Sequence, residues 1–280
     1  MYLIRNFIFV SIIVCFTINF SAGQVLSIVS WNLKDFGQSR DDDEIKMIAE
    51  VIKNADVVAI QEVVAKHPGG AKAVARLTDQ LNRMGAKWES RISHPTESSS
   101  PYIRERYAYI WKTSKVSLTR GRPTLIKEIS SKVEREPFLA QFKLKNGEVV
   151  TLVNYHACTH KKHFPEREEI SYISNWLIDQ SFNNVIWLGD MNLVVDDIAF
   201  ESILSSGYSS VLSGEKTSLK TKCKNGNYLS RAEDNIIYKF SSLNFSGGRV
   251  LDFIDGDKCT DVSWKRVSLS DHLGVEILLE

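Results

Sequence analysis

Carboxylates, carboxamides and imidazoles recur in one kind of place along this sequence, at the ends of short apolar runs. Asn32 follows "LSIVSW", Glu62 follows "VVAIQ", and His156 follows "VTLVNY". Asp190 and Asn192 follow "VIWLG", Asp234 opens "NIIY", and Asp271-His272 precede the last apolar run. Oxygen donors of this kind suit a hard divalent cation that keeps open water positions. Such an ion can neutralise a phosphate and activate the water that attacks it. Singly, each residue has an ordinary structural explanation. "GDMN" reads as a strand followed by an Asx turn, Glu62 as a loop cap, His156 as a hydrogen-bonded core histidine and Asp234 as a turn residue. It is the whole set that structural explanations account for poorly.

The elements that must position these residues alternate through the chain. "VLSIVSWNL", "DVVAIQEV", "RYAYIWK", "VIWLGD", "DNIIYKF" and "LGVEILLE" read as strands. In "PFLAQFKLKNGEVVTLVNYHA", Asn146-Gly147 between two apolar runs signals a hairpin. "DDDEIKMIAEVIKNA" reads as a helix with acids at its start and Ile45, Ile48, Ala49 and Ile52 on one face. "GGAKAVARLTDQLNRMG" reads as a second, striped by Val74, Leu77, Leu81 and Met84. "PEREEISYISNWLIDQ" is a third, with Pro165 near its first turn, and "IAFESILSSG" contains a further helical piece. Mixed sheets covered by helices are the natural packing for this order. Within "VIWLGDMN", Gly189 can break the strand and admit a close neighbour. Asp190 and Asn192, two apart, would then project from one side.

Residues 1–23 read as an export signal: Arg5, an apolar stretch from Ile8 to Phe20, then Ser21-Ala22-Gly23. The apolar run is short for a membrane span. One domain is expected over 24–280, since no repeat, low-complexity tract or linker divides it. Hydrophobic residues make up 43% of the chain, ample for a core, and the formal net charge of +1 falls to zero without Arg5. Bulk charge alone therefore would not hold the mature protein to nucleic acid, although a local basic surface could. Cys158, Cys223 and Cys259 remain after cleavage, in a spacing that matches no zinc pattern. Cys223 and Cys259, in predicted loops flanking "DNIIYKF", are the expected disulfide in an exported protein. Cys158 is left as a buried thiol.

"SWNLKDFG", "AIQEV", "YIRERYAYIWK", "REPF", "NYHA", "GDMN", "EDNIIY" and "SDHLGVEI" occur in the order found in the endonuclease/exonuclease/phosphatase superfamily. The chain resembles it over essentially its whole mature length. Within the superfamily it is most similar to secreted deoxyribonuclease I-like enzymes, through "RERY", "REPF" and Lys34 two residues after Asn32. The resemblance implies a four-layer α/β sandwich of two mixed β-sheets flanked by helices. It makes Glu62 the principal metal ligand, with Asn32 and Asp271 completing the metal and phosphate environment. Asp190 would orient or deprotonate the attacking water, and Asn192 would hold the phosphate. His156 would pair with Glu105, and His272 with Asp234. Lys34, Tyr102, Arg104 or Arg106, and Arg135 would line the substrate surface.

The expected function is a secreted or periplasmic phosphodiesterase dependent on Mg²⁺, or on Mn²⁺ in its place. Its substrate would be duplex DNA cut with little sequence preference. The expected state is a monomer with no stable protein partner and no membrane association after signal removal. The same chemistry would serve a phosphatase or phospholipase of the inositol phosphate or sphingomyelin type, and the fold alone would serve an inactive binding module. Two departures stand out. Val64 replaces an arginine that contacts DNA in deoxyribonuclease I. "LIKEISSKVE", before Arg135, lacks the cysteine-bridged hairpin that binds calcium there, which leaves structural Ca²⁺ open.

Overall fold

The computed structural model describes residues 25–66, 68–159 and 166–280; the proposed signal 1–23 and Pro165 lie outside them. In chain order, β1 (Leu26–Phe36), α1 (Asp42–Ile52), β2 (Val57–Val64), α2 (Gly69–Arg83), β3 (Trp88–Ile92) and β4 (Glu105–Lys112) come first. Then follow β5 (Val116–Leu118), β6 (Thr124–Leu125), β7 (Phe138–Leu144), β8 (Val149–His156), α3 (Glu166–Asp179) and β9 (Asn184–Asp190). The last part holds α4 (Glu201–Ser205), β10 (Ser209–Ser210), β11 (Leu219–Lys224), β12 (Asn227–Leu229), β13 (Asp234–Phe240), β14 (Phe245–Leu251), α5 (Lys258–Ser268) and β15 (Gly274–Leu279).

Six strands form one sheet in the order β14-β15-β1-β2-β4-β3, and seven form the other, β10-β13-β9-β8-β7-β5 with β6 beside β7. Both are mixed: β1–β2 and β8–β9 run parallel, and the remaining pairs antiparallel. Period-two alternation divides each central strand between two cores. On β4, Tyr107, Tyr109 and Trp111 face the other sheet, while Ala108 and Ile110 face α1 and α2. Val150 and Leu152 of β8 likewise point between the sheets, and Val153 and Tyr155 point at α3. The result is helix–sheet–sheet–helix, the four-layer α/β sandwich. None of the described helices is long and apolar enough to cross a membrane.

Local chemistry explains the boundaries. Asp41 accepts from the Glu44 amide while the Glu44 side chain accepts from the Asp41 amide, a capping box that starts α1. Asn146-Gly147 turns β7 into β8, with Gly147 at φ 94°. Gly189 does not break its strand; β9 continues through Asp190. It does admit a close neighbour, because a Cβ there would lie 1.7 Å from the Tyr155 carbonyl oxygen. Cys223 and Cys259 form a disulfide (Cα–Cα 5.1 Å). They sit in β11 and the first turn of α5 rather than in loops. Both elements are mostly polar, with few apolar residues to mark them.

Between the sheets, the apolar rows end in two carboxamides. Gln61 Nε2 donates to Asn154 Oδ1 at 2.7 Å and to Ser30 Oγ at 3.1 Å, and Asn154 Nδ2 donates to the Ile60 carbonyl at 3.1 Å. Both side chains are fully buried. Removing one partner leaves the other without its hydrogen bond. Asn154→Ala should therefore lower unfolding free energy by about 2 kcal/mol, read by urea denaturation. A loss below about 0.5 kcal/mol would show that these amides do not join the sheets in any energetic sense.

Candidate active site

The inter-sheet rows continue past the carboxamides into the site. On β8 the row Val150, Leu152, Asn154 reaches His156, and on β9 Ile186 and Leu188 lead to Asp190. On β13 Ile236 leads back to Asp234, and on β4 Tyr107 leads back to Glu105. Strand register aligns three of these residues, pairing His156 with Asp190 and Asp190 with Asp234. Glu62 is out of phase, since its neighbour Gln61 occupies the inward row. A bulge between Ile60 and Val63 re-aims it, with Glu62 at φ 57°. A second irregularity, between Asn32 and Phe36 on β1, contains Lys34 (φ 32°) and Asp35 (φ 50°).

Asp190 is the centre. Its Oδ2 accepts from Asn32 Nδ2 at 3.0 Å and faces His156 Nε2 at 3.5 Å and His272 Nε2 at 3.7 Å. Each imidazole is held from behind. His156 Nδ1 is 2.9 Å from Glu105 Oε2, and His272 Nδ1 is 2.8 Å from Asp234 Oδ2. Asp190 Oδ1 accepts from the Asn192 amide at 3.0 Å, so the Asx turn is real. Asn192, at φ 52°, turns its Nδ2 to the Ala157 carbonyl at 2.9 Å. It does not project alongside Asp190 as in an extended chain.

Charge is arranged accordingly. Burial alone would lower the His156 imidazole, but Glu105 overrides it and holds the pKa above the ordinary value. Burial works the same way on His272, and Asp234 with Asp190 holds it well above. Burial raises the Asp190 carboxyl, against the lowering effect of both imidazoles. Glu105 is held below its ordinary range: burial opposes this, and His156 and Arg135 outweigh it.

Glu62 accepts from Asn32 Nδ2 and the Asp35 amide, both at 3.0 Å, and among the described residues it pairs with no lysine or arginine. Burial and then the Glu62 charge raise the Asp35 carboxyl. A carboxylate so placed fits a divalent cation. Oxygen and nitrogen atoms of Asp190, Asp234 and His272 also lie within 4.8 Å of one another, a spacing that could hold a metal. A protonated imidazole has no lone pair to give, so their arrangement reads better as an ion-pair network.

Some expected residues have other partners. Asp271 ion-pairs with Lys34 at 2.6 Å and Arg266 at 3.1 Å, so its charge is already matched. For the same reason Lys34, with 41% of its side chain exposed, is engaged rather than waiting for a phosphate. Arg135, expected at the substrate surface, is only 7% exposed; its Nε meets Glu105 Oε2 at 3.1 Å. Arg106 donates to the carbonyls of Ala65 and Ser93. Tyr102 is 96% exposed, beside a groove of about 430 Å³ that Lys66 and Arg104 also line and that reaches Glu62. Sequence reading missed Thr217, whose hydroxyl donates to Asp234 Oδ2 at 2.6 Å. It stands in an irregular loop where no periodicity marks it.

This chain belongs to the Endonuclease/Exonuclease/phosphatase family, whose model matches residues 29–272. It is 27% identical over 268 residues to a protein named Deoxyribonuclease from Thioalkalivibrio sp. (strain K90mix), covering 91% of this chain and 71% of that one. Its fold is that of Bacteroides thetaiotaomicron mannosyl-6-phosphatase Bt3783 (TM-score 0.62, 15% identity, 91% and 99% of the two chains). It is likewise that of D. rerio TDP2 complexed with single strand DNA product (TM-score 0.55, 17% identity, 92% and 99%).

A raised imidazole pKa has a testable sign. The contribution of the Asp234–His272 pair to stability is fully present below about pH 6.5, the unfolded value, and is lost as pH rises through the higher folded value. Asp234→Asn should bring the His272 titration, followed by NMR, down toward the ordinary value. It should also cost most stability below about pH 6.5. An unmoved His272 titration would break the assigned pair.

Proposed function

We propose that this protein is an exported, divalent-metal-dependent phosphodiesterase, an endonuclease that cleaves DNA with little sequence preference. The observation that carries the reading is the convergence of two carboxylate-backed imidazoles and one carboxamide on a single oxygen of Asp190, beside Glu62. A diester phosphate entering there meets two Nε2–H donors. Glu62 and the Asn32 Oδ1 would hold the cation, which when bound would neutralise phosphate charge. Asp190 orients the attacking water and takes its proton. His156 and His272 stabilise charge on the phosphoryl oxygens, and one of them protonates the leaving oxygen.

The similarity to a protein named Deoxyribonuclease supports DNA as substrate. So does the groove beside Glu62, which Lys66, Arg104 and the exposed Tyr102 line. Phosphate contacts position a duplex without reading it, which accounts for low sequence preference. The leader-like residues 1–23 and the disulfide support export. The fold is also that of a phosphatase, so a phosphomonoester is the competing substrate.

Plasmid nicking should require a divalent cation and stop with chelator, while phosphate release from a monoester stays at background. Glu62→Gln should lower nicking by on the order of 10²-fold, and Asp190→Asn by about 10²–10⁴-fold. Tyr102→Ala should weaken plasmid cleavage but leave hydrolysis of bis(4-nitrophenyl) phosphate unchanged. Faster turnover of a monoester than of DNA, or nicking that survives chelation, would sink the endonuclease reading.

A further inference from the structure

α3 carries an acid on its apolar face. Glu169 is 0% exposed and lies in the same buried stripe as Ile170, Ile173 and Leu177. Burial pushes its carboxyl up to about 7, opposed by the hydrogen bonds it accepts. A carboxylate placed there is costly unless donors satisfy it. Three do. Oε1 accepts from the Glu134 amide at 2.7 Å; Oε2 accepts from the Tyr155 hydroxyl and from the Cys158 amide at 3.2 Å.

These donors come from two backbone segments that meet in the site. Glu134 immediately precedes Arg135; Tyr155 and Cys158 bracket His156. The side chains of Arg135 and His156 converge on one atom, Glu105 Oε2, at 3.1 and 2.9 Å. Arg135 Nη1 also reaches the Ala157 carbonyl at 3.4 Å. Glu169 itself touches neither Glu105 nor His156 in any of these contacts.

We infer that Glu169 is a positioning residue: its single carboxylate bridges the segment before Arg135 to the segment around His156, so that both side chains grip Glu105 together. The kinetic consequence rests on the phosphodiesterase reading above; the structural consequence does not. A bidentate acceptor is required, because the amides of Glu134 and Cys158 must both be satisfied, from different directions. Glutamine offers one oxygen, so it can serve only one of them.

The test is Glu169→Gln in the full chain, read in two ways. Amide hydrogen exchange at Glu134 and Cys158 should accelerate, by on the order of tenfold or more at the amide left without an acceptor. With plasmid DNA and with bis(4-nitrophenyl) phosphate, kcat should fall about 10–100-fold while KM stays within about twofold. That loss should not add to the loss from Arg135→Ala, because both act through Glu105, but should multiply with the loss from Asp234→Asn in the other half. Tyr155→Phe keeps the carboxylate and both amide contacts, so its exchange at Glu134 and Cys158 should match wild type. This variant decides the matter if Glu169→Gln does not fold. Unchanged exchange in Glu169→Gln, full multiplication with Arg135→Ala, or opening of both amides by Tyr155→Phe would each overturn the inference. If the wild type cleaves neither substrate, the phosphodiesterase reading falls, and the exchange data still decide the bridge.

Discussion

The hydrogen bonds that set each imidazole on its acid, and Asn32 on Asp190, run from one sheet to the other. Glu105 reaches across to His156, Asn32 to Asp190, and His272, just before β15, to Asp234. Apolar packing between sheets is non-directional and would tolerate sliding. The buried Gln61–Asn154 pair does not, because amide geometry fixes both distance and angle. Neither sheet alone holds a functional set, so the relative placement of the two halves is the condition for any chemistry.

Placement at that seam also accounts for the electrostatics. Apolar rows beneath and backbone around exclude water, so the charges on Glu105, Asp190 and the two imidazoles are felt strongly by one another. An imidazolium there survives desolvation because an acid stands directly behind it. The Nε2 donors already point where an anion would sit. Their counter-charge in the substrate-free protein is Asp190, and a phosphate would share that role.

Much of this was legible in sequence, and for a definite reason. Counting by twos from Val150 through Leu152 and Asn154 arrives at His156, and the same count along β9 arrives at Asp190. Ordered motifs supplied the pairing of each histidine with its acid. What was not legible depended on irregular backbone or on competition among partners. The bulge that turns Glu62 outward leaves no periodic trace. Arg135 looked like a surface cation because nothing in its neighbourhood announced Glu105 as its partner, and the pairing of Lys34 with Asp271 was equally unmarked. Glu169 did leave a signal, an acid inside the stripe Ile170, Ile173, Leu177, but its meaning needed the two loops it faces. α5 and the β11–β12 hairpin are mostly polar, and only their contact with the core reveals them.

Lys34, Asp35, Glu62 and Asn192 all hold left-handed backbone, a conformation that costs an L-residue about 1–2 kcal/mol and glycine almost nothing. Folding would therefore favour glycine at position 62, where only the side-chain chemistry opposes it; asparagine at 192 adopts this backbone readily. Descendants freed from catalysis would drift toward glycine at position 62 while keeping both sheets intact. In a related sequence, glycine at position 62 would be the mark of an abandoned enzyme. A changed histidine would say less, because nothing in the backbone rewards its loss.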